Sequence, residues 1–327
     1  MATFLLRRLA RHAVLAVLAT SLAYLLAAAA LDPRAGYEDR TPRPPAAVVD
    51  ARLTALNLND RTPLARRYLT WAGGVLRGDF GRTRDGEPVN AELRRRLGVS
   101  LRLMLPGAVL GCVLGVLLGA CAAARRGRAA DRLITLGSCL LRAVPVFVLA
   151  VVLQILASKA NDVLGVRLFV WVGDSTPGAA GGASGFADRV RHLLLPTAAV
   201  ALAQLAVYCR YQRAMLLDVL DADFVRTARA KGLRRRSALL RHGLRVALVP
   251  MTAYAPYASG LLVLGGVFTE AAFGRHGVGE WLAGSVTRGD VNAVAAIGCA
   301  AACGVVLAGL VSDVLRGVLD PRARGAA

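Results

Sequence analysis

The chain has 327 residues, is 56% hydrophobic and carries a formal net charge of +20. Soluble domains usually contain about 45–50% apolar residues, whereas the mean hydropathy here is +0.51. So basic a soluble chain would suggest nucleic-acid binding. However, the arginines lie between long apolar runs, and base-stacking aromatic residues make up only 6%. We therefore exclude a nucleic-acid partner and predict an integral protein of the lipid bilayer.

Six apolar runs are each long enough to cross a bilayer as a helix, which needs about 20 residues. None alternates in the way that the strands of a membrane barrel do. We therefore predict an all-α polytopic membrane protein with six transmembrane helices. In chain order the runs are His12–Leu31, Val99–Ala123, Leu133–Ala157, Leu193–Leu216, Leu248–Glu270 and Val291–Leu315.

The first run follows Arg7, Arg8 and Arg11, which resemble the basic start of a signal peptide. Its apolar stretch is longer than the roughly 7–15 residues of a typical signal peptide. We favour an uncleaved first transmembrane helix within residues 1–31, with a cleaved signal peptide as the alternative.

Residues 32–98 are predicted to form a small extracytoplasmic segment between the first two spans. Asp32–Asp50 is rich in proline and charge, so we expect it to be extended. A helix is predicted where Leu64, Tyr68, Trp71 and Val75 recur at helical spacing, followed by the turn-forming GDFGRTRDGEPV. Residues 99–327 then form a five-helix core with a cytoplasmic loop at 217–247.

The distribution of basic residues predicts the orientation of the chain. If the N-terminus is cytoplasmic, the inside segments hold eighteen Arg and Lys and the short outside segments hold six. Such a bias marks cytoplasmic loops. We expect both termini on the cytoplasmic side.

The sequence contains no arrangement of residues that predicts catalysis. A nucleotide-binding P-loop needs a Gly-Lys pair, but Lys159 and Lys231 follow Ser and Ala. The GxSG match at Ser184 lacks the histidine inside a second span that intramembrane serine proteases need. Cys299 and Cys303 share a helix face without a nearby histidine or carboxylate. We expect no enzyme activity, metal or cofactor in this chain.

Charged residues inside spans are costly and mark candidate functional sites. Arg142 lies deep in the third run, just before Pro145, which we expect to kink the helix. Arg142 could line a translocation path, or pair with Asp313 or a backbone carbonyl. Glu270 is a further candidate for the path, near a span end where contact with water costs little.

In the second run Gly111, Gly115 and Gly119 recur every four residues on one helix face. Such stripes let helices approach closely in lipid. The stripe predicts tight packing, either within the chain or against a second subunit.

The loop DFVRTARAKGLRRRSALLRHGL, Asp223–Leu244, has seven Arg or Lys residues and one acid. Asp221 and Asp223 suit an N-cap and a first turn, and Gly232 suits a helix stop. We predict a short helix over Phe224–Lys231 and a second over Ser237–Val249. A loop that only sets the membrane orientation needs charge but no helix cap or glycine stop. The presence of these helix signals therefore predicts a surface that another protein binds.

This loop resembles the coupling motif of ABC importer permeases of the dipeptide, oligopeptide and nickel branch. The resemblance covers nearly the whole chain and rests on several motifs in order. These are FVRTARAKGL from Phe224, Tyr68–Trp71 with Leu76–Arg82, Gly265-Gly266, Glu270, Phe273, Gly277–Gly279, Asp290 and Leu319–Arg322.

The resemblance implies a type I ABC importer permease fold in the cell membrane of a prokaryote. It implies pairing with a second homologous permease, usually as a heterodimer, and delivery of solute by an extracytoplasmic binding protein. It also implies cytoplasmic ATPase subunits that hold ATP and Mg. Phe273, Gly277 and Gly279 would lie on the binding-protein side. The ATPase-coupling residues would be Asp223, Phe224, Arg226, Thr227, Ala228, Arg229, Lys231, Gly232 and Leu233.

The favoured function is therefore a permease subunit of an importer for peptides or a related small solute, with a nickel complex possible. Two features depart from the branch, the proline-rich insert around Thr41–Pro45 and Arg142. The alternative is a membrane scaffold or receptor whose basic loop binds anionic lipid, since clustered cations near spans attract such lipids.

Overall fold

The fold is seen in a computed structural model that describes residues 2–38, 41–42, 44–173, 175–176, 183–220 and 222–319. Over these residues the chain forms fourteen α-helices and one π-helical turn. Its only β pairing there is an isolated bridge between Arg82 and Pro88. The predicted all-α fold is confirmed.

The first seven helices are α1 (Ala2–Ala30), α2 (Ala35–Glu38), α3 (Ala46–Ala55), α4 (Leu64–Leu76), α5 (Val89–Ala124), α6 (Ala129–Ala143) and α7 (Val146–Leu164). The others are α8 (Ala183–Asp218), α9 (Asp223–Ala230), α10 (Arg235–Ala238), α11 (Leu244–Gly265), α12 (Val267–Ala272), α13 (Val278–Arg288) and α14 (Val291–Leu319). A π-helical turn, Leu239–Gly243, joins α10 to α11.

Five helices of the described chain are long and apolar enough to cross a membrane, and they overlap five of the six predicted runs. These are Ala10–Ala30, Val89–Ala124, Val146–Leu164, Ser184–Asp218 and Val291–Leu319. The remaining run, Leu248–Glu270, lies mainly in α11, a 22-residue helix that contains Pro250 and Pro256. The chain is a polytopic all-α membrane protein.

The chain divides into two compact units. The first comprises Met1–Ser100, Leu264–Val267 and His276–Leu307, and the second comprises Leu101–Val263, Phe268–Arg275 and Ala308–Ala327. The first unit thus groups α1 with the helices of the external segment. The predicted division at residues 31 and 98 stays a prediction.

The core of the first unit is built around α4, whose predicted helix is confirmed. Trp71 is buried, and its ring stacks on Tyr24 of α1 with 4.5 Å between the centroids. Tyr68 adds a third ring, 5.9 Å from Tyr24. α1 therefore supplies part of this core, and the retention of the first helix stays a prediction.

The prediction that Asp32–Asp50 is extended is wrong, because α2 and the start of α3 lie within it. Val49 and Leu53 of α3 are buried in the first unit. Arg34 donates to Asp50 from Nη2 at 2.5 Å and to Asp60 from Nε at 2.5 Å. Apolar burial and these ion pairs order a segment whose composition alone favours extended chain.

The predicted turn segment after α4 is held by Arg84. Its backbone N–H donates to Asp290 Oδ2 at 2.8 Å, and its Nη1 donates to the Arg288 carbonyl at 2.5 Å. The guanidinium also lies 4.6 Å from the centroid of the Tyr37 ring. These contacts attach the turn to the junction of α13 and α14.

The second unit contains the glycine stripe of α5, which packs against α8. A Cβ on Gly111 would lie 2.5 Å from the Ala201 carbonyl oxygen, and one on Gly119 would lie 2.4 Å from the Cys209 carbonyl oxygen. Both distances are far below a normal contact, so the two backbones touch directly. The stripe therefore serves packing within the chain.

The third apolar run is interrupted. α6 ends at Ala143, Val144 is extended with ψ 124°, and Pro145 is the N-cap of α7. The expected kink at Pro145 is therefore wrong, since two separate helices form. Proline lacks an N–H and forces the preceding residue away from helical geometry.

We expect Gly111→Ala to destabilise the protein by about 1–3 kcal/mol, because the added methyl group overpacks the contact with α8. The control is Gly137→Ala in α6, where a Cβ meets nothing within 4 Å. The control should be neutral or slightly stabilising, because alanine favours a helix over glycine. Thermal unfolding of both variants in detergent makes the comparison, and equal changes would contradict the assigned packing.

Candidate functional site

The short helix predicted in the basic loop is α9, which runs from Asp223 to Ala230. The observed helix begins and ends one residue earlier than predicted. The residue at the N-cap is Ala222, and no side chain caps it. Asp223 lies in the first turn, as expected, whereas Asp221 lies outside the described residues.

The C-terminus of α9 has the geometry that Gly232 predicted. Gly232 adopts φ 91°, in the left-handed region that favours glycine. Its N–H donates to the Arg229 carbonyl at 2.9 Å, and the Leu233 N–H donates to the Ala228 carbonyl at 3.3 Å. This pair of bonds is a Schellman motif, which fixes the direction in which the chain leaves the helix.

One face of α9 packs against its own chain. Val225 and Ala228 are buried together with Ala238 of α10, and Leu233 packs against the group. The apolar contact between Leu233 and the helix is the usual companion of a Schellman motif. Ala228 is therefore a packing residue, and α9 and α10 form one small hairpin.

The rest of the α9 surface is open, including positions beside the buried face. Phe224 is 42% exposed, which is unusual for a large aromatic ring on a short polar helix. Arg226 lies 3.7 Å from Asp223 in a largely exposed ion pair, which adds little stability. Thr227 turns its hydroxyl onto the Asp223 carbonyl at 2.9 Å. The exposed residues of this surface are Asp223, Phe224, Arg226, Thr227, Arg229 and Lys231.

The predicted second helix, Ser237–Val249, is helical throughout but passes through the π-helical turn. Leu239, at the start of that turn, is buried in one cluster with Ala123 of α5, Leu216 of α8 and Leu220 in the turn after α8. The extra residue of a π-turn changes which side chains face inward. The hairpin is thereby attached to the ends of two membrane helices.

Sequence reasoning missed a buried ion pair between α6 and α8. Arg213 of α8 donates to Asp131 of α6 through Nε at 2.7 Å and Nη2 at 3.0 Å. The Gly127 N–H adds a bond of 2.9 Å to the same carboxylate. The Arg213 bonds hold the pKa of Asp131 below its usual value, although burial opposes this. The available sequence signal was Asp131 itself, the one acidic residue in the basic segment 125–132.

The candidates for the translocation path occupy different environments. Arg142 is exposed in the last turn of α6, directly before the interruption at Pro145. Glu270 lies in α12 and is 0% exposed, and its role in the path stays a prediction. Its segment folds back on itself through the Arg275 N–H, which donates to the Glu270 carbonyl at 2.8 Å.

The residues assigned to the binding-protein side are buried in their own units. Phe273 belongs to an apolar core with Leu195 and Ala199 of α8. Gly277 is the N-cap of α13, and a Cβ on Gly279 would lie 2.7 Å from the Val267 nitrogen. These residues support the local packing and backbone geometry, and their contact with a partner stays a prediction.

Comparisons with known proteins agree on one family. Residues 115–325 match the family described as "Binding-protein-dependent transport system inner membrane component". The oligopeptide transport system permease protein OppB of Mycobacterium tuberculosis is 48% identical over 325 residues, 99% of this chain and of its own length. AppB of Bacillus subtilis, an oligopeptide permease, is 30% identical over 98% of this chain and 99% of its own. The dipeptide permease DppB of Escherichia coli is 32% identical over 80% and 81%.

We expect Arg213→Gln to destabilise the protein by about 3–5 kcal/mol, because it leaves the Asp131 carboxylate buried without its cation. Arg210→Gln, one turn earlier on α8 and exposed, is the control and should change little. Thermal unfolding in detergent measures both variants.

The same pair predicts a dependence on pH. Because the pKa of Asp131 is lowered on folding, its stabilisation is present above the unfolded value, about 3.9. It is lost as the pH falls through the lower folded value. The difference between wild type and Arg213→Gln should therefore shrink in acid. A difference that does not depend on pH would contradict the ion pair.

Proposed function

Because the chain belongs to the family of binding-protein-dependent transport system inner membrane components, we propose that it is the permease subunit of an ATP-driven peptide importer. The observation that carries this proposal is α9, a rigid short helix with one buried face and one open face. The peptide substrate is supported by the relatives, which are named oligopeptide and dipeptide permeases. A nickel complex is the other solute class of the branch.

In this proposal the open face of α9 docks on a cytoplasmic ATPase subunit, which holds ATP and Mg. Phe224 supplies an apolar anchor, and Arg226, Arg229 and Lys231 supply charge around it. An aromatic residue surrounded by polar groups is the usual form of an interface hot spot. The ATPase contact thus comprises Arg226–Gly232 and its flanking residues.

Motion of the ATPase reaches the membrane helices through contacts within the second unit. The Schellman motif and the Val225–Ala238 packing make α9 and α10 move together. Leu239, which follows α10 directly, packs against residues at the ends of α8 and α5. A displacement of α9 is therefore transmitted to the ends of both helices.

For the translocation path we retain Arg142 and the interruption at Pro145. Helix breaks at membrane depth are tolerated only where they are buried in protein or line a water-filled cavity. The exposed Arg142 beside the break favours the second case. Glu270, being buried, would act on the path through packing.

The proposed assembly contains a second, homologous permease, two cytoplasmic ATPase subunits and an extracytoplasmic binding protein. Both termini of this chain would be cytoplasmic in the cell membrane. This arrangement is supported by the family and by the basic inside segments.

We expect Gly232→Val to abolish most ATP-dependent uptake, because a β-branched residue strains the left-handed backbone that ends α9. Gly232→Asn is the matched control, since asparagine tolerates this conformation, and it should retain uptake. Transport and ATP hydrolysis are measured with the assembled importer in proteoliposomes. Both variants preserve every charge, so equal uptake would contradict a coupling role for the backbone geometry that ends α9.

Phe224→Ala should weaken ATPase association by about tenfold or more, as expected for an exposed hot-spot aromatic residue. Phe186→Ala, which removes an exposed ring at the start of α8, should leave the association unchanged. Co-purification of the ATPase with each variant provides the measurement. Full retention by Phe224→Ala would remove Phe224 from the interface.

A further inference from the structure

In the first unit, α1 and α4 bury a group of hydrogen-bond donors. On the described residues of α1 and α4, four buried side-chain atoms lack a well-formed hydrogen bond, namely Tyr24 Oη, Arg67 Nε, Arg67 Nη2 and Trp71 Nε1. Tyr24 is 0% exposed, Arg67 3% and Trp71 6%. Buried polar groups are normally hydrogen-bonded, so a cluster of such atoms needs an explanation.

The three side chains meet at one place. Arg67 and Trp71 are four residues apart on α4 and therefore share a face. The Trp71 ring stacks on Tyr24 at 4.5 Å, and the Tyr24 hydroxyl lies within hydrogen-bonding reach of the Arg67 guanidinium. That contact engages at most one Arg67 N–H and leaves the Trp71 indole N–H without a partner. Donors from two helices thus converge.

Several contacts hold this group in position. Asn57, at the turn before α4, has φ 57° and donates from Nδ2 to the Arg67 carbonyl at 2.9 Å. Ser21 of α1 bonds to the Tyr68 hydroxyl at 2.7 Å. These contacts therefore fix the position of Arg67 where α1 and α4 pack together.

The charges of the group demand an anion. A buried guanidinium without a counter-charge is strongly unfavourable. Two nearby carboxylates in sequence are already engaged, since Asp50 binds Arg34 and Arg61, and Asp60 binds Arg34. Arginine and indole N–H groups with a tyrosine hydroxyl match the oxygens of a tetrahedral oxyanion.

We propose that Tyr24, Arg67 and Trp71 bind a phosphate group. Tyr24 lies near the end of a membrane-spanning helix, at the level where tyrosine and tryptophan meet lipid headgroups. The phosphate is either the phosphodiester of a lipid headgroup or free inorganic phosphate. This site does not depend on the transport function.

The test measures thermal stabilisation of the delipidated full-length chain in detergent by three additions. These are phosphatidylglycerol, diacylglycerol with the same acyl chains, and inorganic phosphate at constant ionic strength. A raised unfolding midpoint with phosphatidylglycerol alone identifies a lipid source, and one with inorganic phosphate identifies free phosphate. Equal stabilisation by diacylglycerol, or none by either phosphate source, overturns the proposal.

Variants then test the residues. Arg67→Gln should weaken the apparent affinity for the stabilising phosphate compound by about 10- to 100-fold, the loss expected for a charge-assisted bond. Arg66→Gln, the exposed neighbour, should bind as wild type. If Arg67→Gln does not fold, Tyr24→Phe and Trp71→Phe each remove one donor and keep the ring. Unchanged affinity in both phenylalanine variants, or in Arg67→Gln, overturns the proposal.

Discussion

The contact between the backbones of α5 and α8 is the constraint on which the second unit depends. Glycine at 111 and 119 allows an approach that no side chain would permit. The ends of the same two helices bring Ala123 and Leu216 together, and Leu239 packs against them and against Leu220 in the turn after α8. The hairpin of α9 and α10 is therefore positioned by glycines that lie far from it in sequence.

The proposed ATPase contact combines local rigidity with an open surface. α9 has only eight residues, and so short a helix is not stable alone. Burial of Val225 and Ala228 and the turn at Gly232 stabilise it within the protein. Because these groups face inward, the exposed Phe224 and the exposed cations of α9 remain available to a partner without loss of stability.

Local signals predicted most of the helices. Hydrophobic runs located the membrane helices, helical spacing located α4, and the glycine stop located the end of α9. What failed depends on distant partners. Asp32–Asp50 folds because of Arg34 ion pairs and apolar burial. The Asp131–Arg213 pair joins residues 82 apart, beyond any local pattern.

That ion pair also bears on how the chain is inserted during synthesis. α6 has 15 residues, about 22 Å of helix, which is shorter than the roughly 30 Å hydrocarbon core. Its buried carboxylate finds its cation only when Arg213 has been translated. Until then its partners are local, the Gly127 N–H and water, so the contact between α6 and α8 is complete only when both helices have been made.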